Sequence, residues 1–201
     1  MRGLIALAIA AIGCGGATTT NTPALPPVPK TTLDDAGWGK FHSVRHAIML
    51  PLPDGHSWKI DDHTRPELVA VHAASGTRVT LRLVQDAGEL TNRQKCEQKA
   101  MEAKFVKDLR VSVVEDQEGI DKDGWDAHVL VAVEKTPAEL VGHVLSFSSS
   151  IRKCLWFHFE THAKDGSEEE LSDRLALART KVLGELSLDS FGLVQRQHPE
   201  K

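Results

Sequence analysis

Ten histidines and three cysteines supply most of the reactive side chains of this 201-residue chain, which contains no tyrosine. The run His158-Phe159-Glu160-Thr161-His162 invites comparison with zinc hydrolases. Their chemistry needs His-Glu-x-x-His on a helix, where residues i and i+4 share a face and one ion. Here the spacing is His-x-Glu-x-His, and Phe157 alternating with Phe159 marks a strand. Residues four apart on a strand are about 13 Å apart, so His158 and His162 cannot hold one ion together. A metalloprotease is excluded.

A different metal site would draw on His128, His143 and His158, one on each of three consecutive strands, with Glu160 or Asp126 nearby. Antiparallel neighbours in the right register come within about 5 Å, and neutral imidazole ligates zinc and copper. The same side chains serve equally as hydrogen-bonded sheet residues. That second reading is preferred, so no resident metal and no cofactor is expected, and a periplasmic zinc- or copper-binding protein is the alternative. His42, His46, His56, His63 and His72 form a loose group with Asp54, Asp61 and Asp62. It is either a set of solvated turn residues or a group that protonates below about pH 6.5 and senses acidity. No Gly-x-Ser-x-Gly elbow is present, and Gly13-Cys14-Gly15-Gly16 lacks the strand–turn–helix context of a phosphate loop. No catalytic residue is assigned. A hydrolase assembled from dispersed residues is a third reading.

The cysteines are more informative. Met1-Arg2 gives a short positive start, Leu4 to Ile12 is an unbroken apolar stretch, and Ala11-Ile12-Gly13-Cys14 follows. A nine-residue helix spans only about 14 Å, too short for a buried element that leads directly into a linker. Small residues before a cleavage point suit an export signal, and the cysteine after Gly13 resembles the lipobox of bacterial lipoproteins. Position 11 is Ala where that pattern has Leu. The resemblance implies removal of residues 1–13, lipidation (diacylglycerol and palmitate-type acyl chains) of Cys14, and a bacterial envelope location facing the periplasm or the outer surface. Lipidating Cys14 leaves Cys96 and Cys154, an even pair in a compartment where disulfides persist. A helix-to-strand bond between them is expected; two buried thiols are the other possibility.

Composition bounds the partners. A formal charge of −4 and no Lys/Arg-rich stretch exclude a dedicated nucleic-acid binder. Removing residues 1–13 deletes Arg2 alone among the charges, leaving 23 basic against 28 acidic side chains and a charge of −5. Anionic headgroups would repel such a body, so attachment must come from the lipid. No apolar run approaches the roughly 20 residues that span a bilayer as a helix.

Residues 14–36 read as the lipidated cysteine and its tether. Gly15 to Lys30 is rich in Gly, Thr and Pro and buries little apolar surface. Its prolines favour extended polyproline II at about 3.1 Å per residue. The globular domain is assigned to residues 37–195 and a tail to 196–201. Strands are predicted at His46–Leu50, from Trp58, at Glu67–Ala73 and at Thr77–Val84, the last pair a hairpin around Ala74-Ser75-Gly76. Thr91-Asn92-Arg93-Gln94 fits a capping box opening a helix to about Lys107. A short strand is predicted at Arg110–Val114 and an acidic loop at Glu115–Gly124. Strands at Trp125–Glu134, Leu140–Ser149 and Ile151–His162 follow, with turns at Thr136-Pro137 and Ser149-Ser150. Connections this short require antiparallel neighbours. Ser167 with Glu170 caps a helix to about Leu186, whose stripe of Leu171, Leu175, Ala178 and Val182 should be buried while Asp173, Arg174 and Lys181 face water.

The expected fold is therefore α+β, a mostly antiparallel sheet with two packed helices in one domain. This order, with the Pro53, Gly55, Trp58 turn and a closing amphipathic helix, resembles the PsbP-like fold of DcrB-type envelope lipoproteins over about residues 40–192. That resemblance implies an αβα sandwich with a non-catalytic accessory role, and no functional residues carry over from it. The leading reading is a membrane-tethered, non-enzymatic envelope lipoprotein acting on another envelope component. Its candidate contact surface is the turn of Pro53, Gly55 and Trp58, since loops on a rigid scaffold often carry function. Trp58 plugging the sheet end is the competing role. Trp38, Trp125 and Trp156, with Trp58, either line a groove or pack the core.

Overall fold

The computed structural model describes residues 33, 35–86, 88–106, 111–120 and 124–188. Residues 1–13 and 196–201, and nearly all of 14–36, Cys14 among them, lie outside the described residues.

The described elements are β1 (Gly39–Ser43), β2 (Ile48–Leu52), a 3-10 turn (Gly55–Ser57), β3 (Trp58–Asp61), β4 (Leu68–His72) and β5 (Thr77–Gln85). Then come α1 (Arg93–Glu102), β6 (Ser112–Ile120), β7 (Asp126–Lys135), β8 (Glu139–Ser150) and β9 (Lys153–Lys164). The chain closes with α2 (Glu168–Leu177), its π-helical continuation (Ala178–Leu183) and β10 (Ser187–Leu188). Seven strands form one sheet in the order β3-β4-β5-β9-β8-β7-β6, and β1-β2-β10 form a small second sheet. Every neighbouring pair is antiparallel. The α+β class is thus a sheet-dominated single domain with two helices.

The helices cover opposite faces of the long β8–β9 hairpin. On one face Cys96 and Ala100 of α1 pack with Leu145, Phe147, Cys154 and Trp156. On the other, Leu171, Leu175, Ala178 and Val182 pack against Val79, Leu81, Val144, Phe157 and Phe159, all buried. α2 seats directly on β8 because Gly142 has no side chain. A Cβ there would stand 2.8 Å from Leu171 Cδ1 and 2.9 Å from Leu175 Cδ2.

Several expectations change. The stretch read as an acidic loop after a short strand is β6, a full edge strand paired with β7 through a bulge at Val113/Glu115. Its charged side chains are compatible with a strand because an edge faces water, where charge also discourages pairing with other chains. The β8–β9 turn is Ile151–Arg152 rather than Ser149-Ser150, so Ile151 leaves the predicted strand and takes φ 54. A β-branched residue resists that conformation, and the twelve-residue pairing on either side imposes it. α1 is capped one residue later than predicted, by Asn92, whose side chain accepts from the Lys95 N–H at 2.8 Å. Ser167 occupies the α2 N-cap without a side-chain hydrogen bond. Arg174 is not in water: it is 5% exposed, donating from Nη1 to the His162 carbonyl at 2.6 Å and pairing with Glu170. β1 and β10 were not predicted, and β2 starts two residues after the predicted strand.

Candidate functional site

Among the described residues, the face of the sheet that carries α1 also carries a cluster of metal-binding side chains. Alternation puts His158, Glu160 and His162 of β9 on that face, and the register sets His143 of β8 opposite Glu160. His143 Nδ1 lies 3.1 Å from His158 Nε2, their rings 5.3 Å apart and inclined by 26°. One nitrogen from each imidazole and a Glu160 carboxylate oxygen all lie within 4.8 Å of one another. Glu160 also meets His162 Nε2 at 3.4 Å, and His162 Nδ1 meets Glu139 at 3.2 Å. His143 is 1% exposed, while His158 and Glu160 are half-buried.

Burial depresses the His158 pKa to about 4, assisted by His143, and burial lowers His143 as well. Both rings are neutral at neutral pH, with lone pairs available. His143 Nε2 is buried with no hydrogen-bond partner among the described residues. Such an orphaned group is unfavourable by about 1–3 kcal/mol.

The depressed pKa has a measurable consequence in metal-free protein. The unfolded chain protonates His158 near its ordinary value of 6.5, the native chain only near 4. Between those limits the unfolded state binds more protons, so stability falls as pH falls, by about 1.4 kcal/mol per pH unit for one imidazole. Urea unfolding in chelator-treated buffer across this window should show that slope, and His158→Gln should flatten it. An unchanged slope in the variant would show that His158 does not supply it.

The remaining sequence candidates disperse. His128 does not join His143 and His158: it pairs across from Phe147, and its nitrogens meet Glu97 and Asp116, each at 2.9 Å. Burial pulls its pKa down, but those two carboxylates raise it overall. Asp126 is likewise engaged elsewhere, with Arg93 at 2.7 Å. Of the N-terminal histidines, His46 and His72 sit in two separate pairs. His46 lies 3.6 Å from Asp62, which also accepts from Ser43. His72 bridges Asp54 Oδ2 at 3.1 Å and Ser75 Oγ at 2.7 Å. Asp54, His72 and Ser75 have the residue types of a hydrolase triad. Ser75, however, is 6% exposed and donates to Thr77 Oγ1, which is bonded in turn to Thr161, a buried hydroxyl chain that closes the β4–β5 hairpin.

The Pro53, Gly55, Trp58 turn is packed. Trp58 is 7% exposed, its indole N–H donates to the Pro53 carbonyl, and its ring meets His72 at 5.3 Å. Gly55 lies against β1 so closely that a Cβ would stand 2.6 Å from Gly39 Cα. Asp54, His56 and Ser57 are the turn's solvent-facing residues. Trp125 and Trp156 are also buried, and Trp38 is half-buried. Cys96 and Cys154 are joined in a disulfide that ties α1 to β9.

Two adjoining apolar clefts of about 290 and 310 Å³ lie on the α2 face, beneath the β6–β7 edge. Trp125, Val129, Leu155 and Leu183 line the first, and Val131, Val133, Leu140 and Leu175 the second. Arg179 stands between them, held by Glu115 at 2.8 Å and Gln117 at 2.7 Å.

No protein-family model matches the chain, and no curated protein matches it. Among solved structures, a protein from Bacteroides thetaiotaomicron VPI-5482 is similar at 11% identity over 76% of this chain and 49% of its own, with a TM-score of 0.43. The chain spans about half the length of that protein.

Proposed function

We propose that this is a lipid-anchored protein of the bacterial envelope whose folded module acts, without catalysis, as a binding or accessory unit for another envelope component. The Cys96–Cys154 bond is the observation that carries the reading. It accounts for two of three cysteines and leaves Cys14, directly after an apolar segment and a small residue, for the lipid. A disulfide also fits an exported protein better than a cytosolic one. The order of strands and helices, with a helix on each sheet face, supports the PsbP-like arrangement as part of this proposal. The apolar clefts supply concave surface of the kind that binds ligands or partner side chains.

Expression in a bacterial host with labelled fatty acid tests the anchor. The wild-type chain takes up label and fractionates with membranes, whereas Cys14→Ser takes up none and leaves the membrane fraction. A Cys14→Ser variant that stays quantitatively in the membrane contradicts the proposal.

A further inference from the structure

We propose that His143, His158 and Glu160 bind a single divalent transition-metal ion of the zinc class on the sheet face that carries α1. The inference does not depend on the lipid anchor. Zinc–nitrogen bonds of about 2.0–2.1 Å set two ligands a little over 3 Å apart, and His143 Nδ1 and His158 Nε2 are already 3.1 Å apart. The pair reaches chelating distance with the sheet as it stands. Glu160, directly opposite His143, needs only a side-chain adjustment to bring its oxygen from within 4.8 Å into the same shell.

Two imidazole nitrogens and one carboxylate oxygen make a borderline donor set suited to zinc, and they leave a fourth position for water or a ligand. His162, 3.4 Å from Glu160, orients that carboxylate from outside the shell, and Glu139 holds His162 in turn. Outer partners of this kind accompany metal ligands in known sites. In the empty pair, one hydrogen lies between the two rings. Ion binding moves it to another ring nitrogen, a tautomeric change that leaves both imidazoles neutral. On His143 that hydrogen then sits on Nε2, which is buried and has no hydrogen-bond partner among the described residues. A sheet needing only to pack at this position would be served by an apolar side chain.

The full chain, purified without a histidine tag and stripped with chelator, is titrated with zinc against a chromophoric chelator. One equivalent should bind. His158→Gln and Glu160→Gln, both at half-buried positions, should each weaken binding by at least the roughly 10–100-fold that loss of an outer-shell partner causes. His128→Gln, four residues from the β7 residue opposite His143, should leave affinity unchanged. Cobalt(II) provides a second readout, because its visible absorption in the wild-type site should be lost in Glu160→Gln. Absence of stoichiometric zinc binding overturns the proposal. Binding that survives both His158→Gln and Glu160→Gln, or that His128→Gln abolishes, overturns it equally.

Discussion

Replacing Cys96 and Cys154 together by alanine lowers the unfolding free energy by about 4 kcal/mol, the loop-entropy value for a closed loop of this length. The bond joins residues 58 positions apart, so cutting it releases the unfolded chain across α1, β6, β7 and β8 together. In the native state both sulfurs are buried beneath α1, against Phe147 and Trp156, where alanine fits without introducing a polar group. α1 has only two buried residues of its own, Cys96 and Ala100, so the bond is the main fixed point of that helix on the sheet. Chemical denaturation with and without reductant measures the effect in wild-type protein, and the double variant should match the reduced form. Equal midpoints under oxidising and reducing conditions would show that the bond does not contribute.

Leu175→Ala should destabilise by about 2–5 kcal/mol, the range for truncating a buried leucine. The side chain is 6% exposed and lies over Gly142, where the glycine backbone leaves little room for collapse around the cavity. The converse change, Gly142→Ala, forces a methyl into Leu171 and Leu175 and should cost about 1–3 kcal/mol by overpacking. The two changes should couple: in the double variant the added methyl enters space that Leu175 vacated, so the combined loss falls short of the sum. Lys181→Ala touches the partly exposed pair with Asp35 and a ring contact with Trp38, and should change stability by less than about 1 kcal/mol. Strict additivity of Gly142→Ala and Leu175→Ala would mean that α2 does not seat on β8 at this point.

The parts of the fold that were legible are those where one face is apolar. β5, β7, β8, β9 and the α2 stripe all alternate or repeat at the spacing their elements require, and they occur where expected to within a few residues. Only the start of β6 was legible, within the predicted strand at Arg110–Val114; its acidic continuation faces water, so neither face reads as apolar. β1 and β10 exist through pairing with β2, a tertiary cause that a local pattern does not record. Arg174 could have been placed: it lies three residues after Leu171 and four before Ala178, on the buried stripe, where its long stem is covered and its head finds the His162 carbonyl and Glu170.

The histidine site depended on a turn. A two-residue turn at Ser149-Ser150 would have set His143 opposite Trp156, whereas the turn at Ile151–Arg152 sets it opposite Glu160 and diagonal to His158. Residue types identified His143, His158 and Glu160 as neighbours in principle, but register decides which of them meet. Nothing in the local sequence marks Ile151 for a left-handed turn, since the residues that favour it are glycine, asparagine and aspartate. The same register carries His128 away to Glu97 and Asp116. Residues 1–14 lie outside the described residues, and the proposal that they carry an export signal rests on sequence and on the pairing of the other two cysteines.

Anchoring through Cys14 is decided by the mass of the mature N-terminus. Protein extracted with detergent from the membranes of an expressing bacterium is digested, and the N-terminal peptide is measured by mass spectrometry. A lipid-anchored protein gives a peptide beginning at Cys14, heavier than its sequence by a diacylglyceryl group and acyl chains. A peptide that retains Met1 to Gly13, or one that begins elsewhere and carries Cys14 as a free thiol, contradicts it.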